Sequence, residues 1–187
     1  MAQAALPESL RQQWLWFAPP APSASNIRLI DLIEDAPSDV SWHRPDETRA
    51  LLAMMSPVNR AKLDLVAAND GRAVGAIYKR TRIEAGRKVQ RAEVRFDLAG
   101  CLRTPAGGSS RQSLIFVDAG RIRSRLVSAR ETARLMGLPD DYKLPPRYTE
   151  AYHLTGDGVA APVVRFIAQT ILEPVLGMGS AAGRAVG

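Results

Sequence analysis

RSRLVSARETARLMGLPDDYKLP, from Arg123 to Pro145, and AYHLTGDGVAAPVVRFIA, from Ala151 to Ala168, decide the reading of this chain. In the first stretch Ser128 and Glu131 stand three apart, the spacing of a capping box: the serine side chain accepts from the third helical amide and the glutamate accepts from the serine's own. Gly137 followed by Pro139 gives the matching stop. Glu131 therefore reads as a cap, with Arg134 and Asp140 holding the helix end and the turn after it. DDYKLPPRY is a turn-rich connector. The second stretch predicts a helix from about Val159 to Leu172. Val163, Val164, Phe166, Ile167, Ile171 and Leu172 make it apolar around much of its surface, so burial on more than one side is expected.

Upstream, Pro45 suits the first turn of a helix through ETRALLAMM, and Ser56-Pro57 repeats the start signal for a helix through RAKLDLVAA that stops near Asn69-Asp70-Gly71. NIRLIDLIED, from Asn26, predicts a short helix or turn. Between Val74 and Val117 the segments VGAIYKRTR, VQRAEVRFD and SLIFVD are β-rich and separated by glycine-containing turns. The loop CLRTPAGGSSRQ lies in their midst. Residues 1 to 26 are rich in Pro, Ala and Ser and read as an extended lead-in. Trp14, Trp16 and Phe17 alternate there like a short strand that docks on something.

The chain has 187 residues, of which 46% are hydrophobic and 24% charged, enough apolar surface to fold. Its net charge is +6, and the excess, carried mostly by arginine, suits a polyanionic partner such as nucleic acid. The sole cysteine, Cys101, cannot form an internal disulfide and reads as a small packed residue. His43 and His153 lack ligand-spaced neighbours, so no metal site is expected. No secretory leader or long apolar span is visible, and a cytoplasmic location is expected.

The two opening blocks resemble the last two conserved blocks of DNA (cytosine-5) methyltransferases. RETARLMGLPD fits an arginine-bearing helix that ends in a Gly-x-Pro-Asp turn. GDGV stands where that family has Gly-Asn-Ser/Ala-Val. VQRAEVRFDLAGCLRTPAGGSSRQSLIFVD resembles the end of the family's variable target-recognition region, with Thr104, Gly107 and Gly108 matching a Thr-bearing, Gly-rich loop. The resemblance implies an α+β chain. A small, mostly β target-recognition domain (27–122) would be followed by a helical segment (123–176) that completes an α/β, Rossmann-like methyltransferase core, with a flexible tail at 177–187. It also implies S-adenosyl-L-methionine as cofactor, with Gly156, Asp157, Gly158 and Val159 closing one side of its pocket. Asp157 equally suits a helix cap.

Candidate DNA contacts are Arg80, Arg91, Arg95, Arg103, Thr104, Gly107, Gly108, Ser109 and Arg111. Arg91, Glu93 and Arg95 alternate on one strand and would share a polar face beside the loop. Arginines there would grip phosphates and read guanine edges. A solvated strand with charges for solubility explains the same residues.

The family's chemistry also needs a Gly-rich turn for the cofactor, a Pro-Cys nucleophile loop, a Glu-Asn-Val strand and a Gln-x-Arg-x-Arg strand. None is visible, and QRAEVR is misplaced for the last. No catalytic residue is therefore assigned to this chain. The resemblance implies the DNA-recognition subunit or fragment of a split enzyme of restriction-modification type. A separate catalytic subunit would carry the Pro-Cys and Glu-Asn-Val motifs, and this chain alone would be inactive. The alternative is a non-enzymatic DNA-binding remnant.

Overall fold

Two dipeptide turns organise the sheet. Ala85-Gly86 and Ala119-Gly120 have positive φ at both positions (48° and 75°, 45° and 75°), the backbone hand that matches the twist of a two-residue hairpin. They join β1 (Ala73–Glu84) to β2 (Arg87–Arg95) and β3 (Ser113–Asp118) to β4 (Arg121–Leu126). β1 also pairs antiparallel with β3, giving the order β2-β1-β3-β4. The structure, a computed structural model, describes residues 6–11, 18–24, 27–104 and 111–177. Trp14, Trp16, Phe17, Gly107, Gly108 and Ser109 lie outside the described residues.

Alternation along β3 sends side chains into two apolar layers. Ile115 and Val117 face Ile77, Ala92 and Val94 with Leu51, Met55 and Leu63, which come from α2 (Pro45–Ala53), the turn after it and α3 (Pro57–Ala67). Leu114 and Phe116 face Val74 and Val127, with Ile30, Ile33 and Leu135 packed against them. Leu135 closes α4 (Ala129–Leu135). Because both faces are covered, β3 is buried from Ser113 to Val117, as expected of a doubly covered central strand.

The outer strands are partly paired as well. His43 N–H donates to Ser124 O at 2.9 Å beside β4, and Ala92 N–H donates to Met54 O at 3.0 Å beside β2. Such cover blunts exposed edges. β1 pairs with β3 only from Ala73 to Ile77, so the distal part of the β1–β2 hairpin extends as a two-stranded ribbon.

The capping signals are borne out. Ser128 Oγ accepts from Glu131 N–H at 3.0 Å and Glu131 Oε2 from Ser128 N–H at 2.7 Å. Gly137 takes φ 74° after the helix, and Arg134 pairs with Asp140 at 2.7 Å. Ser56 caps α3 through its own hydroxyl.

Glu131 does more than cap. It forms a fully buried ion pair with Arg125 of β4, at 2.6 and 2.8 Å. Arg125 also donates to Glu34 O at 2.7 Å, Glu131 Oε1 accepts from Glu34 N–H at 2.8 Å, and Ser128 Oγ donates to Glu34 Oε2 at 2.6 Å. Asp39 accepts from Ala129 N–H at 2.8 Å. Residues 34–39, β4 and the start of α4 are thus one polar knot.

Three expectations are corrected. The connector gives way at Tyr148 to a further helix, α5 (Tyr148–Asp157); Ala151, Tyr152 and Thr155 are buried, and Thr155 donates to Thr132 of α4 at 3.0 Å. Gly156 and Asp157 therefore end α5 rather than opening the last helix. Cys101 is exposed, not packed. α6 (Ala161–Ile167) and the π turn Ala168–Leu172 bury no residue; Val163 and Val164 are each 51% exposed.

Residues 26–161 form one compact unit, and 1–25 with 162–187 another. The division expected after residue 122 falls inside β4, which the hairpin ties to β3. The described part of the second unit holds α1 (Glu8–Arg11) and most of α6. By length and composition one stretch, Tyr148–Gly177, is apolar enough to cross a membrane, but α5 within it ends at Asp157 and packs on α4.

Removing one partner of the buried pair leaves the other charge uncompensated, so Glu131→Ala should lower stability by about 3–5 kcal/mol, read from the urea midpoint. A loss under about 1 kcal/mol would show that the pair holds nothing. His43 offers a second check. Burial pushes its imidazole below the ordinary value, outweighing the charge of Glu47, while its Nδ1 lies 2.9 Å from Ser124 Oγ. The unfolded chain then takes the proton first. The contribution is present above about pH 6.5 and fades as pH falls toward the lower folded value. His43→Gln should flatten that limb of the stability–pH curve.

Candidate nucleic-acid interface

Glycine permits the approach that builds the candidate surface. A Cβ on Gly156 would sit 2.9 Å from Thr104 N and 3.0 Å from the Arg103 carbonyl carbon, so only a bare backbone lets the end of α5 lie against residues 103–104. Beside that contact Thr104 Oγ1 donates to Asp157 Oδ1 at 2.9 Å. Residues singled out separately, Thr104 for DNA and Gly156-Asp157 for cofactor, are therefore neighbours. Asp157, Gly158 and Val159 remain exposed. One oxygen of Asp157 is engaged by Thr104.

The strand–loop side is held by Gln112, which sequence reasoning missed. Its side chain accepts from Gly100 N–H at 3.1 Å and donates to Gly100 O and Cys101 O, both at 2.8 Å. Its own N–H donates to Tyr152 Oη at 3.1 Å. A Cβ on Gly100 would meet Tyr78 Cδ1 at 3.2 Å, so the Gly100 backbone lies close over the β1 side chain of Tyr78. Arg111 donates to Thr149 Oγ1 at 3.0 Å, and its guanidinium carbon lies 5.1 Å from the centre of the Tyr148 ring. Its Nε is buried without a partner among the described residues. Burial pushes the Tyr148 and Tyr152 hydroxyls above their ordinary value, so both stay protonated: Tyr148 donates to Val127 O at 2.9 Å, and Tyr152 accepts from Gln112 N–H. No sequence signal marked Gln112 or Tyr152, because their importance lies in contacts between segments forty residues apart.

The arginines divide into two sets. Arg91, Glu93 and Arg95 do share a strand face, but each arginine has an acidic partner: Arg91 pairs with Glu84, Arg95 with Asp97 at 2.9 Å, and Arg80 and Arg82 with Glu93. Burial pushes Glu93 up, yet hydrogen bonds from Arg82 and Tyr78 and the nearby positive charges prevail and hold it below its usual range. Hydrogen bonding to arginine lowers Glu84 and Asp97 as well. Those arginines are neutralised at home. Arg87 and Lys88 at the ribbon tip, and Arg103, are exposed and form no ion pair among the described residues. A two-stranded ribbon is of a size the DNA major groove admits.

The family model for C-5 cytosine-specific DNA methylases matches residues 26–173. The chain belongs to that family. Among known proteins it is 39% identical over 61 residues to the type II methyltransferase M.BsuFI of Bacillus subtilis, a stretch covering 33% of this chain and 15% of that protein. It is 37% identical over 61 residues to the type II methyltransferase M.SsoII of Shigella sonnei, covering 33% of this chain and 16% of that protein. The chain thus matches about a sixth of the length of these relatives.

The close approach at Gly156 is the sharpest test of this architecture. Gly156→Ala should cost about 1–3 kcal/mol, as overpacking against backbone does, and should loosen residues 103–104. Asp157→Ala should cost less than about 1.5 kcal/mol, the worth of one ordinary hydrogen bond. Thermal melts of both variants decide: a neutral Gly156→Ala would contradict the contact.

Proposed function

We propose that this chain is the DNA-recognition portion of a DNA (cytosine-5) methyltransferase of restriction-modification type, acting with a catalytic part that carries the Pro-Cys and Glu-Asn-Val motifs. The observation that carries the reading is the seam between Arg103-Thr104 and Gly156-Asp157. One rigid surface joins the end of the recognition loop to the turn that resembles the family's cofactor-closing turn.

In this reading the duplex lies against the exposed ribbon tip and the 98–111 loop. Arg87, Lys88 and Arg103 contact phosphates, which sets orientation without reading sequence. Arg80, Arg91 and Arg95 keep the ribbon rigid through their acidic partners and exchange them for phosphate only at the cost of those pairs. Gln112, Tyr148 and Tyr152 hold residues 100–101 and 111–112 in place before DNA arrives, and so reduce the ordering cost of binding there. Gly107, Gly108 and Ser109 complete the proposed loop contact.

S-adenosyl-L-methionine, bound by the complete enzyme, supplies the methyl group. The part of this chain in that site is the exposed turn Asp157–Val159. Asp157 would set negative charge against the cofactor's positively charged sulfonium, and Val159, 70% exposed, would offer an apolar wall. The exposed apolar side chains of α6 and the π turn, Val163, Val164, Ile167 and Leu172, suit burial against the catalytic part. That accounts for a helix apolar enough for a core yet uncovered here.

A methyl-transfer assay with labelled S-adenosylmethionine and mixed-sequence duplex tests the proposal. The chain alone should be inactive, and addition of the catalytic part should restore transfer. Arg103→Ala should weaken duplex binding and make log K fall less steeply with log salt by about 0.9, one phosphate contact. Methylation by the chain alone would overturn the reading. Duplex binding with no transfer in the mixture would favour a DNA-binding remnant.

A further inference from the structure

The strongest unassigned feature lies at the β4 edge of the sheet, beyond both the loop and the ribbon. The extended residues before α2 pair with β4 only at its far end, through Trp42 opposite Arg125 and His43 N–H on Ser124 O. The chain then turns into α2 at Pro45. The beginning of β4, paired with β3 on its inner side, has no strand on its outer side among the described residues, and a cleft of about 510 Å³ opens there. Trp42, His43, Arg49, Arg121 and Arg123 are among its lining residues.

Carboxylates stand near two of its arginines, Asp46 near Arg49 and Asp118 opposite Arg121, without pairing with them. Arg49, Arg121 and Arg123 are exposed, and none forms an ion pair among the described residues. The acidic side chains at the start of α2, Asp46 and Glu47, are held by Arg44, and Asp118 stands opposite Arg121 across the hairpin. This is the reverse of the β1–β2 ribbon, where the strand arginines have carboxylate partners.

Arg123 is also ordered in advance. Its guanidinium lies over the Trp42 ring with the carbon 4.1 Å from the centroid. Trp42 in turn makes an edge contact with core Phe116 at 4.8 Å, and buried Arg125 lies 5.5 Å from the same ring. A stacked guanidinium is weakly hydrated and loses little freedom on binding a planar or tetrahedral oxyanion. Arg121 is two residues along the same strand, so it projects from the same face.

The geometry points to this cleft as a second anchor for the phosphodiester backbone of duplex DNA, held by Arg121 and Arg123 with Arg49 from α2. The inference rests on the DNA-recognition reading above. The cleft lies at the Asp118 end of β3, whereas Gln112 and residues 100–101 lie at the Ser113 end, and the six residues of β3 span about 17–20 Å. The duplex would therefore be gripped at two well-separated places. The anchor contributes to affinity and orientation, and carries no sequence preference.

The test is fluorescence anisotropy of the full chain on a labelled mixed-sequence duplex across a salt series. If the unaltered chain shows no salt-dependent binding, the DNA-recognition reading itself fails. If it binds, Arg121→Ala/Arg123→Ala should make the log K against log salt slope shallower by about 1.8, two phosphate contacts. Arg121→Lys/Arg123→Lys should keep most of the slope. The charge-matched control Arg60→Ala/Lys62→Ala on α3 should leave it unchanged. Should the double variant fail to fold by circular dichroism, Arg49→Ala carries the test, with a slope change of about 0.9. A slope equal to that of the unaltered chain in the folded variant, or an equal loss in the α3 control, would overturn the anchor while leaving the reading of the loop intact.

Discussion

A fully buried arginine has to be answered by a carboxylate, and in this chain that demand arranges the rest. Arg125 sits on an outer strand with Phe116 beneath it, its guanidinium carbon 4.9 Å from that ring, and no water can solvate its charge. Glu131 meets it from the first turn of α4, so strand and helix must meet at one angle. The remaining acceptor capacity is drawn from Glu34, which brings the segment before α2 across the same point. A surface pair of equal geometry would fix little, because solvent competes for both partners. A buried one tolerates no slippage.

That constraint reaches the functional surface by way of α4. Thr132 of α4 receives Thr155 of α5, Tyr148 donates to Val127 O at 2.9 Å, and Tyr152 receives Gln112. The last turn of α5 then abuts Arg103 and Thr104. Residues 103–104 are thus referenced, through two helices, to the polar knot beside the sheet. The arginines follow a similar logic. Those on strands of the ribbon have acidic partners and stiffen it, whereas Arg87 at the ribbon tip, Arg103, and Arg121 and Arg123 along the start of β4 are exposed and form no ion pair among the described residues.

Local rules made much of the fold legible. Ser128 with Glu131, Ser56 with Pro57 and Gly137 each report on a few adjacent residues, and each signal stands where the structure has its element. β4 was absorbed into the block that precedes α4. Its alternation Arg121, Arg123, Arg125 looks polar, and the third arginine is core only because Glu131 answers it. α5 falls almost wholly between the connector DDYKLPPRY and the helix expected from about Val159, a stretch for which the sequence suggests no element; Ala151, Tyr152 and Thr155 become a buried face only once α4 is beside them. The neighbourhood of Thr104 and Asp157 was legible as two family-like motifs but not as one surface. Gln112 and Tyr152 were invisible for the same reason: a residue that positions others carries no mark until its partners, distant in sequence, are brought together.

The knot also imposes an order on synthesis. Glu34 N–H finds its acceptor in Glu131, 97 residues later, so the segment holding Ile30 and Ile33 cannot reach its place until the ribosome has delivered β3, β4 and the first turn of α4. At about 5–20 residues per second, the wait is roughly 5 to 20 s, during which those apolar side chains have no native surface to cover. The early part of the chain emerges first and docks late. For that interval it is the stretch most open to chaperone binding or to pairing with another copy on the same message.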